Sequence, residues 1–336
     1  MVKKTALITG ITGQDGALLT RYLLTQNYTI IAATRKDPDL SRLEELNIKK
    51  DQSITFVVYN KWSDFDQIIE KYLPDEVYHL AAISHVGLSH QQPNKVFDVN
   101  TSWTISLLNA IYTKSPQSKL FFASSSEIFQ KDIAHLISEN DNKIPTNPYG
   151  ISKLSAHLMV QYYRDANNLF ACNGILFNHE SKLRSDSFVS KKICKEVARI
   201  VKFGGAPLYL GNIEAKKDWG YAPDYVAAFH MMLQQNTAQD FIISSAQLHS
   251  VKDMVNAAFE AFNYAISWQG SDINCKAINA KGEIVVAIDE NFFRPLDNRY
   301  LKGNNTKAKL ALGLNHLTPF NSWIKTMTLS EYEKLS

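Results

Sequence analysis

Residues 5–19 read Thr5-Ala-Leu-Ile-Thr-Gly-Ile-Thr-Gly-Gln-Asp-Gly-Ala-Leu-Leu19. The apolar run Ala6-Leu7-Ile8 ends at Gly10, and Gly13 and Gly16 follow at three-residue spacing. Leu18, Leu19, Tyr22 and Leu23 then recur with a helical period. The order is strand, tight glycine turn, helix. Glycines reach left-handed conformations and let backbone N–H groups close on a pyrophosphate, whose charge the positive helix end stabilises. An ordinary βα turn that happens to contain glycine has the same local pattern, so the rest of the chain must decide between them.

Downstream, Tyr28–Thr34 is β-branched and apolar and predicts a second strand. It ends at Arg35 and Lys36. At this place in a dinucleotide fold a carboxylate binds the ribose 2′-hydroxyl, whereas an arginine accommodates a 2′-phosphate. Arg35 therefore points to NADP rather than NAD, although Asp37 and Asp39 nearby also suit a solvated basic turn. Further strands are predicted over Ile54–Tyr59, Pro74–Ala82 and Lys119–Ala123, with helices over Asp64–Tyr72 and, as one long element, Val96–Tyr112. Such alternation argues for a parallel, doubly wound sheet. Ligands in these sheets lie beyond the carboxyl ends of the strands, where Ser124-Ser-Ser-Glu127 follows the fifth strand.

Asn147-Pro-Tyr-Gly-Ile-Ser-Lys153 opens a further helix. Tyr149 and Lys153 stand four apart and share a face. A phenol is a poor base at its usual pKa near ~10, and an adjacent ammonium favours the phenolate. A serine hydroxyl across the site can bond the same substrate oxygen. Chance produces many Tyr-x-x-x-Lys pairs, but few that follow both a glycine turn and a strand-end serine.

The chain has 336 residues, 45% hydrophobic and 21% charged, without a low-complexity tract or internal repeat. That suits one large α/β unit or two intimately joined domains. A net charge of +3 argues against nucleic acid or a membrane surface as partner, while favouring an anionic small ligand. Cys172, Cys194 and Cys275, odd in number and widely spaced, fit neither a disulfide framework nor a zinc site. No metal is expected, and a reduced, cytoplasmic setting is. The apolar run behind Lys3 and Lys4 breaks at Gly10, too short for a signal peptide, and no apolar segment approaches membrane-spanning length.

Taken together these residues closely resemble the GDP-mannose 4,6-dehydratase family of extended short-chain dehydrogenases/reductases. The similarity runs nearly end to end. It is carried by Gly10-Ile-Thr-Gly-Gln-Asp-Gly16, Asp75-Glu-Val-Tyr-His-Leu-Ala-Ala82 with Ser84-His85-Val86, and Gly174-Ile-Leu-Phe-Asn-His-Glu-Ser181. Phe188-Val189, Leu210-Gly-Asn212, Asp218-Trp-Gly-Tyr-Ala222 with Asp224-Tyr225, Phe293-Arg-Pro295 and Thr306-Lys-Ala-Lys309 add to it. The resemblance implies a catalytic group of Ser125, Glu127, Tyr149 and Lys153. It places Gly10, Thr12, Gly13, Gln14, Asp15, Gly16, Arg35, Leu80, Ala81, Ala82, Ser84, His179 and Arg184, with Tyr149 and Lys153, on the NADP cofactor. A GDP-linked sugar would meet Ser84, His85, Ser125, Glu127, Asn178, Val189, Lys192, Gly211, Asn212, Lys217, Arg294 and Asp297. It further implies a homo-oligomer, dimer or tetramer.

The architecture implied is a Rossmann-like doubly wound sheet with a smaller C-terminal α/β substrate-binding lobe. The cofactor domain would cover 1–179 with a return segment near 218–245, and the sugar-nucleotide lobe 180–217 and 246–336. Some positions depart from the family pattern. Ser125 stands where threonine is usual and keeps the hydroxyl. Lys61 replaces an aspartate expected at the adenine, and Trp103 and Gln130 replace glycines. Lys217 replaces a phosphate-binding arginine, keeping the charge but losing the bidentate fork. Asp297 replaces a glutamate, and Lys182-Leu183 lacks the usual proline and arginine. Glu127 sets the expected reaction: removing a proton from C5 and helping the C6 hydroxyl leave needs an acid/base beyond Tyr149. Alternatives are a GDP-heptose 4,6-dehydratase, and a reductase or epimerase of a GDP-4-keto sugar that uses Ser125, Tyr149 and Lys153 alone. A non-catalytic NADP-binding sensor would have no reason to hold the Tyr149–Lys153 pair.

Overall fold

The computed structural model describes residues 3–48, 53–130, 135–292 and 300–335. The first half of the chain runs β1 (Thr5–Thr9), α1 (Gln14–Thr25), β2 (Thr29–Thr34), α2 (Ser41–Glu45), β3 (Ile54–Val58), α3 (Asp64–Tyr72) and β4 (Glu76–His79). It continues through α4 (Val86–Gln91), α5 (Pro93–Phe97), α6 (Trp103–Lys114), β5 (Lys119–Ser125), α7 (Pro148–Asn167) and β6 (Ala171–Leu176). The second half adds β7 (Asn178–Glu180), α8 (Val189–Phe203), β8 (Leu208–Leu210), β9 (Lys216–Tyr221), α9 (Ala222–Leu233), β10 (Phe241–Ile243) and β11 (Leu248–Ser250). Last come α10 (Val251–Glu260), β12 (Ile266–Gln269), β13 (Lys276–Asn279), β14 (Ile284–Ile288), α11 (Thr306–Leu312) and α12 (Phe320–Lys334).

Seven parallel strands form the main sheet in the order β10-β6-β5-β4-β1-β2-β3. This is a Rossmann-like, doubly wound α/β fold. Side chains alternate between the two faces of a strand, so one strand feeds two cores. From β1, Ala6 and Ile8 join the cluster that α1 and α9 cover, while Leu7 joins the cluster with Phe65, Leu107 and Ile111 on the opposite face. On the first face Phe121 of β5 stacks on Phe229 of α9 with ring centroids 4.3 Å apart. The strand order reverses between β1 and β4, whose carboxyl ends therefore diverge into a crevice, where this fold places its ligands.

A smaller lobe stands over that crevice. It contains the sheet β12-β13-β14-β8 and the helices α8, α10 and α12, packed around Trp323, Ile324, Met327, Val197 and Met254. A third sheet, β11-β9-β7, lies at the seam, with β7 parallel to β9. The chain re-enters the main unit through α9 and β10, leaves it, and returns at α11, whose Ala308 and Leu312 join the cluster that α1 and α9 cover, so the 246–336 segment expected in the smaller lobe is divided between the two.

The long helix expected over Val96–Tyr112 is present as a continuous helical run from Pro93 to Lys114, with one wide turn of π type at Asp98–Ser102 between α5 and α6. Asn100 lies in this turn, and its side chain points inward. Its amide binds the Ile83 N–H (2.8 Å) and carbonyl (3.2 Å) and the Ser152 hydroxyl (3.0 Å). Such single wide turns recur at functional sites. This one joins the loop after β4 to α7.

Candidate active site

The crevice opens into a cleft of about 1100 Å³ bounded by both lobes. That lies just above the roughly 300–1,000 Å³ usual for a small-molecule site.

Its floor is the turn after β1. Gly10 has φ +74°, and a Cβ there would lie 2.7 Å from the Ala81 nitrogen, so the turn can approach the end of β4 only as glycine. Gly16 is equally constrained: a Cβ would stand 2.3 Å from the Gly10 carbonyl oxygen. Gly13 caps α1 without any side-chain hydrogen bond, which leaves the first-turn N–H groups facing the cleft. Thr12, Gln14, Leu80, Ala81, Ala82 and Ser84 line the same space. This cradle suits a dinucleotide pyrophosphate. Arg35 projects from the end of β2, and its charge reaches Tyr59, whose phenol is raised by burial and lowered by that charge.

A carboxylate in the first turn of a phosphate-binding helix would repel its ligand, and Asp15 is such a residue. It is answered by His179, whose Nε2 lies 2.9 Å from Asp15 Oδ2. The other ring nitrogen, Nδ1, faces the Phe177 carbonyl at 2.7 Å. Both partners are acceptors, so both nitrogens must donate and the ring is an imidazolium. Burial works against that charge, yet the Asp15 carboxylate prevails and holds the imidazole above its usual value. For Asp15, likewise, burial is outweighed by His179, and the carboxyl sits below the usual range. The ring also stacks on Tyr225 at 4.7 Å. Gln14 completes the seam, donating to the His179 carbonyl (3.1 Å) and accepting from the Ser181 hydroxyl (2.9 Å).

β5 runs through Ser125 before turning at Ser126–Ile128, so the three serines are strand end as well as loop. α7 starts opposite. Asn147 caps it, accepting from the Gly150 N–H at 2.8 Å, and Pro148 occupies the first helical turn, where a missing N–H costs nothing. This start presents Tyr149 and, one turn on, Lys153, both buried. The Ser125 hydroxyl is near enough to the Tyr149 phenol to lower its pKa and accepts from the Glu127 N–H at 3.2 Å. The Glu127 carboxylate takes a hydrogen bond from Asn147 Nδ2 at 2.7 Å.

The Tyr149 phenol is raised to about 12, by burial first; Ser125 opposes that rise and the Glu127 charge adds to it. Burial pushes Lys153 down to about 7, and its ammonium donates to the Ala123 carbonyl at 2.8 Å, 4.7 Å above the Phe122 ring. The spacing of four does put both residues on one face. Desolvation, acting on each separately, dominates their charge states.

Beyond the catalytic end, the lobe supplies cationic and aromatic groups. Arg184 lies 3.5 Å over the Phe188 ring, with Nε 3.1 Å from Glu180. Lys192 donates to the Tyr209 carbonyl at 2.7 Å and sits 4.1 Å over Phe292. His85 caps α4, accepting from the Leu88 N–H, with its ring 6.5 Å from Phe188. Asn178, Val189, Gly211, Asn212 and Lys217 line this end too. Every described residue expected on cofactor or substrate therefore borders the one cleft; Arg294 and Asp297 lie outside the described residues. Three residues that the sequence reading did not place in the site also belong to it. Asn147 and Asn100 brace it, and Trp103 lines the cleft beside Tyr59 (5.5 Å) and Phe65 (6.3 Å), its Nε1 donating to Asp98 at 3.2 Å. An Asn directly before a proline that opens a helix was the available signal for Asn147.

A sequence profile of the family described as GDP-mannose 4,6 dehydratase matches residues 7–327. The GDP-mannose 4,6 dehydratase of Dictyostelium discoideum is 36% identical over 343 aligned positions, covering 98% of this chain and 96% of that protein. The human enzyme of that name is 35% identical, with 98% and 92% covered. Among solved structures, RMD of Pseudomonas aeruginosa in complex with NADPH superposes with a TM-score of 0.76 over 99% of this chain and 100% of that one, at 18% identity, which speaks to fold alone.

Proposed function

Because the chain belongs to the GDP-mannose 4,6-dehydratase family, we propose that it is an NADP-dependent lyase converting GDP-mannose to the GDP-4-keto-6-deoxy sugar. The observation that carries this reading is Glu127: a carboxylate held at 2.7 Å by Asn147 and close enough to Tyr149 for its charge to act on the phenol. Hydride exchange at C4 alone has no use for it. A nicotinamide dinucleotide fits the glycine cradle, and a bound nicotinamide supplies the hydride acceptor at C4 and, at the end, the donor at C6. NADP over NAD rests on Arg35 at the end of β2.

The protein's own residues then divide the proton traffic. Tyr149, beside Ser125 and on one helical face with Lys153, takes the proton of the C4 hydroxyl as the phenolate while that carbon is oxidised, and becomes the phenol. The C4 ketone acidifies the C5 hydrogen. Glu127 removes the C5 proton and returns a proton to the C6 hydroxyl as the C6–O bond breaks, so that C5=C6 forms and water leaves. Tyr149 is placed to return a proton to C5 when C6 is reduced, and the sequence of steps is redox-neutral. Arg184, Lys192 and Lys217 supply positive charge for the diphosphate.

Two coarser readings accompany this one. The α7 residues Ile151, Leu158 and Tyr162 are exposed at 47%, 51% and 55% along one stripe, which supports a homo-oligomer. All three cysteines are buried and unpaired, which supports a reducing, cytoplasmic setting; among the described residues no helix is long and apolar enough to cross a membrane. The deciding experiment is incubation with GDP-mannose and catalytic NADP⁺. A 4-keto-6-deoxy product by NMR is expected, and its absence removes the reading.

A further inference from the structure

One amide side chain holds two parts of the site at once. Asn147 Oδ1 accepts from the Gly150 N–H and Nδ2 donates to Glu127 Oε2, at 2.8 and 2.7 Å. A backbone N–H can only donate, so the oxygen of the amide must face Gly150 and the nitrogen must face Glu127. Neither a flip nor a rotation is open to the group without loss of the helix cap. Its backbone is extended (φ −148°, ψ 159°), Pro148 follows directly, and the residue is 6% exposed. The helix start and the loop also touch through their main chains: a Cβ on Gly150 would lie 2.3 Å from the Glu127 carbonyl oxygen.

We propose that Asn147 is a positioning residue for the elimination steps, aiming the Glu127 carboxylate and tying its place to the helix that presents Tyr149 and Lys153. The proposal rests on the dehydratase reading above. A glutamate side chain has three torsions, and a general base works only within about 2.6–3.2 Å of its proton. A charge-assisted hydrogen bond from a rigid donor gives direction to the carboxylate. It also ties Glu127 to the helix that carries Tyr149 and Lys153.

A cap with no further duty makes a different prediction, and two substitutions separate the cases. Ser, Asp and Asn are equivalent helix caps. Asn147→Ser keeps the cap but is too short to bridge to Glu127 as well. Asn147→Asp keeps it and sets a carboxylate against a carboxylate. With the holoenzyme and GDP-mannose, both variants are expected to keep the parental melting temperature, KM and C4 oxidation transient. Water loss and solvent deuterium uptake at C5 should fall about ten- to a hundredfold in Asn147→Ser, the range for a hydrogen bond to an ionised group, and further in Asn147→Asp. On a Glu127→Gln background the same substitutions should add little, because the partner charge is already gone. Parental water loss in both variants overturns the proposal. So does a uniform loss of stability and of every step, or an undiminished effect on the Glu127→Gln background. A parent enzyme that never releases water from GDP-mannose removes the dehydratase reading itself. A parent that dehydrates, alongside variants that match it, removes only the role of Asn147.

Discussion

Asp15 and His179 are 164 residues apart in the chain, and their side chains meet at 2.9 Å. One stands in the first turn of α1, the other on β7 at the seam of the lobes. The pair does two things together: it cancels a negative charge beside the phosphate cradle, and it locks the main unit to the strand from which the smaller lobe begins.

A pH dependence follows with a definite sign. His179 is raised above its ordinary 6.5 in the folded protein, so its contribution is complete below that value and is lost as pH rises through the folded pKa. Asp15 is lowered from 3.8, so its contribution is present above that value and is lost as pH falls through the folded pKa. The pair is therefore intact between these limits. Dinucleotide affinity should weaken on the alkaline side, once His179 loses its proton and leaves Asp15 with only Gln14 and the more distant Arg184 charge to offset it. His179→Gln should weaken binding about tenfold and flatten that alkaline limb. Fluorescence titration of the cofactor across the range checks it; equal affinities for parent and variant at neutral pH would exclude the role.

On the proposed reading, Arg35 at the end of β2 favours NADP over NAD. NADP is expected to bind about tenfold or more tightly than NAD, the worth of roughly 1.5–3 kcal/mol for a charged hydrogen bond to the 2′-phosphate. Arg35→Ala should remove the difference. Calorimetric titration of both cofactors against both proteins measures it, and equal affinities in the parent defeat the assignment.

Tyr149→Phe should fold and bind cofactor as the parent does while turnover falls by about 10²–10⁴-fold, since only the proton-transferring oxygen is lost. A melting curve and a cofactor titration run beside the rate assay separate this from misfolding. Near-parental turnover would assign the base to another residue.

Glu127→Gln should divide the reaction. The amide keeps shape and some hydrogen bonding but cannot take a proton, so water loss should drop by about 10²–10⁴-fold. C4 oxidation, read as transient absorbance of reduced nicotinamide in a single turnover, should persist, while solvent deuterium enters C5 far more slowly. Parental dehydration in this variant would make Glu127 structural and bring the reductase or epimerase reading forward.

The parts of this site that were legible in the sequence are those encoded within one or two turns of chain. The glycine spacing of Gly10, Gly13 and Gly16 is set by a local backbone path, and Tyr149 and Lys153 share a face because of helical period alone. What escaped depends on distant partners. Within the π turn Asn100 reaches Ile83 and Ser152, the latter 52 residues on; a periodicity reading of Val96–Tyr112 contains nothing of Ser152. The second duty of Asn147 needs Glu127 to be delivered by another strand. The charge states of Tyr149 and Lys153 depend on burial, which pushes one up and the other down and is a property of the assembled cleft rather than of their spacing. The resemblance located Asp15 and His179 separately, yet their pairing is visible only once β7 lies against α1.

The strand at the end of the main sheet has a consequence for how the molecule is made. β10 (Phe241–Ile243) pairs with β6, and Phe229 of α9 covers the ring of Phe121 on β5. A nascent chain that has emerged only as far as β6 holds Gly10, Gly13 and Gly16 of the cradle and Ser125, Glu127, Tyr149 and Lys153, but the apolar face of β5 and β6 is still bare and one edge of the sheet is open. Such a fragment is a candidate for aggregation rather than a cofactor-binding module. The sheet closes only after the first segments of the smaller lobe have left the ribosome. A truncation at residue 179 should therefore come out insoluble, not as half of a working enzyme.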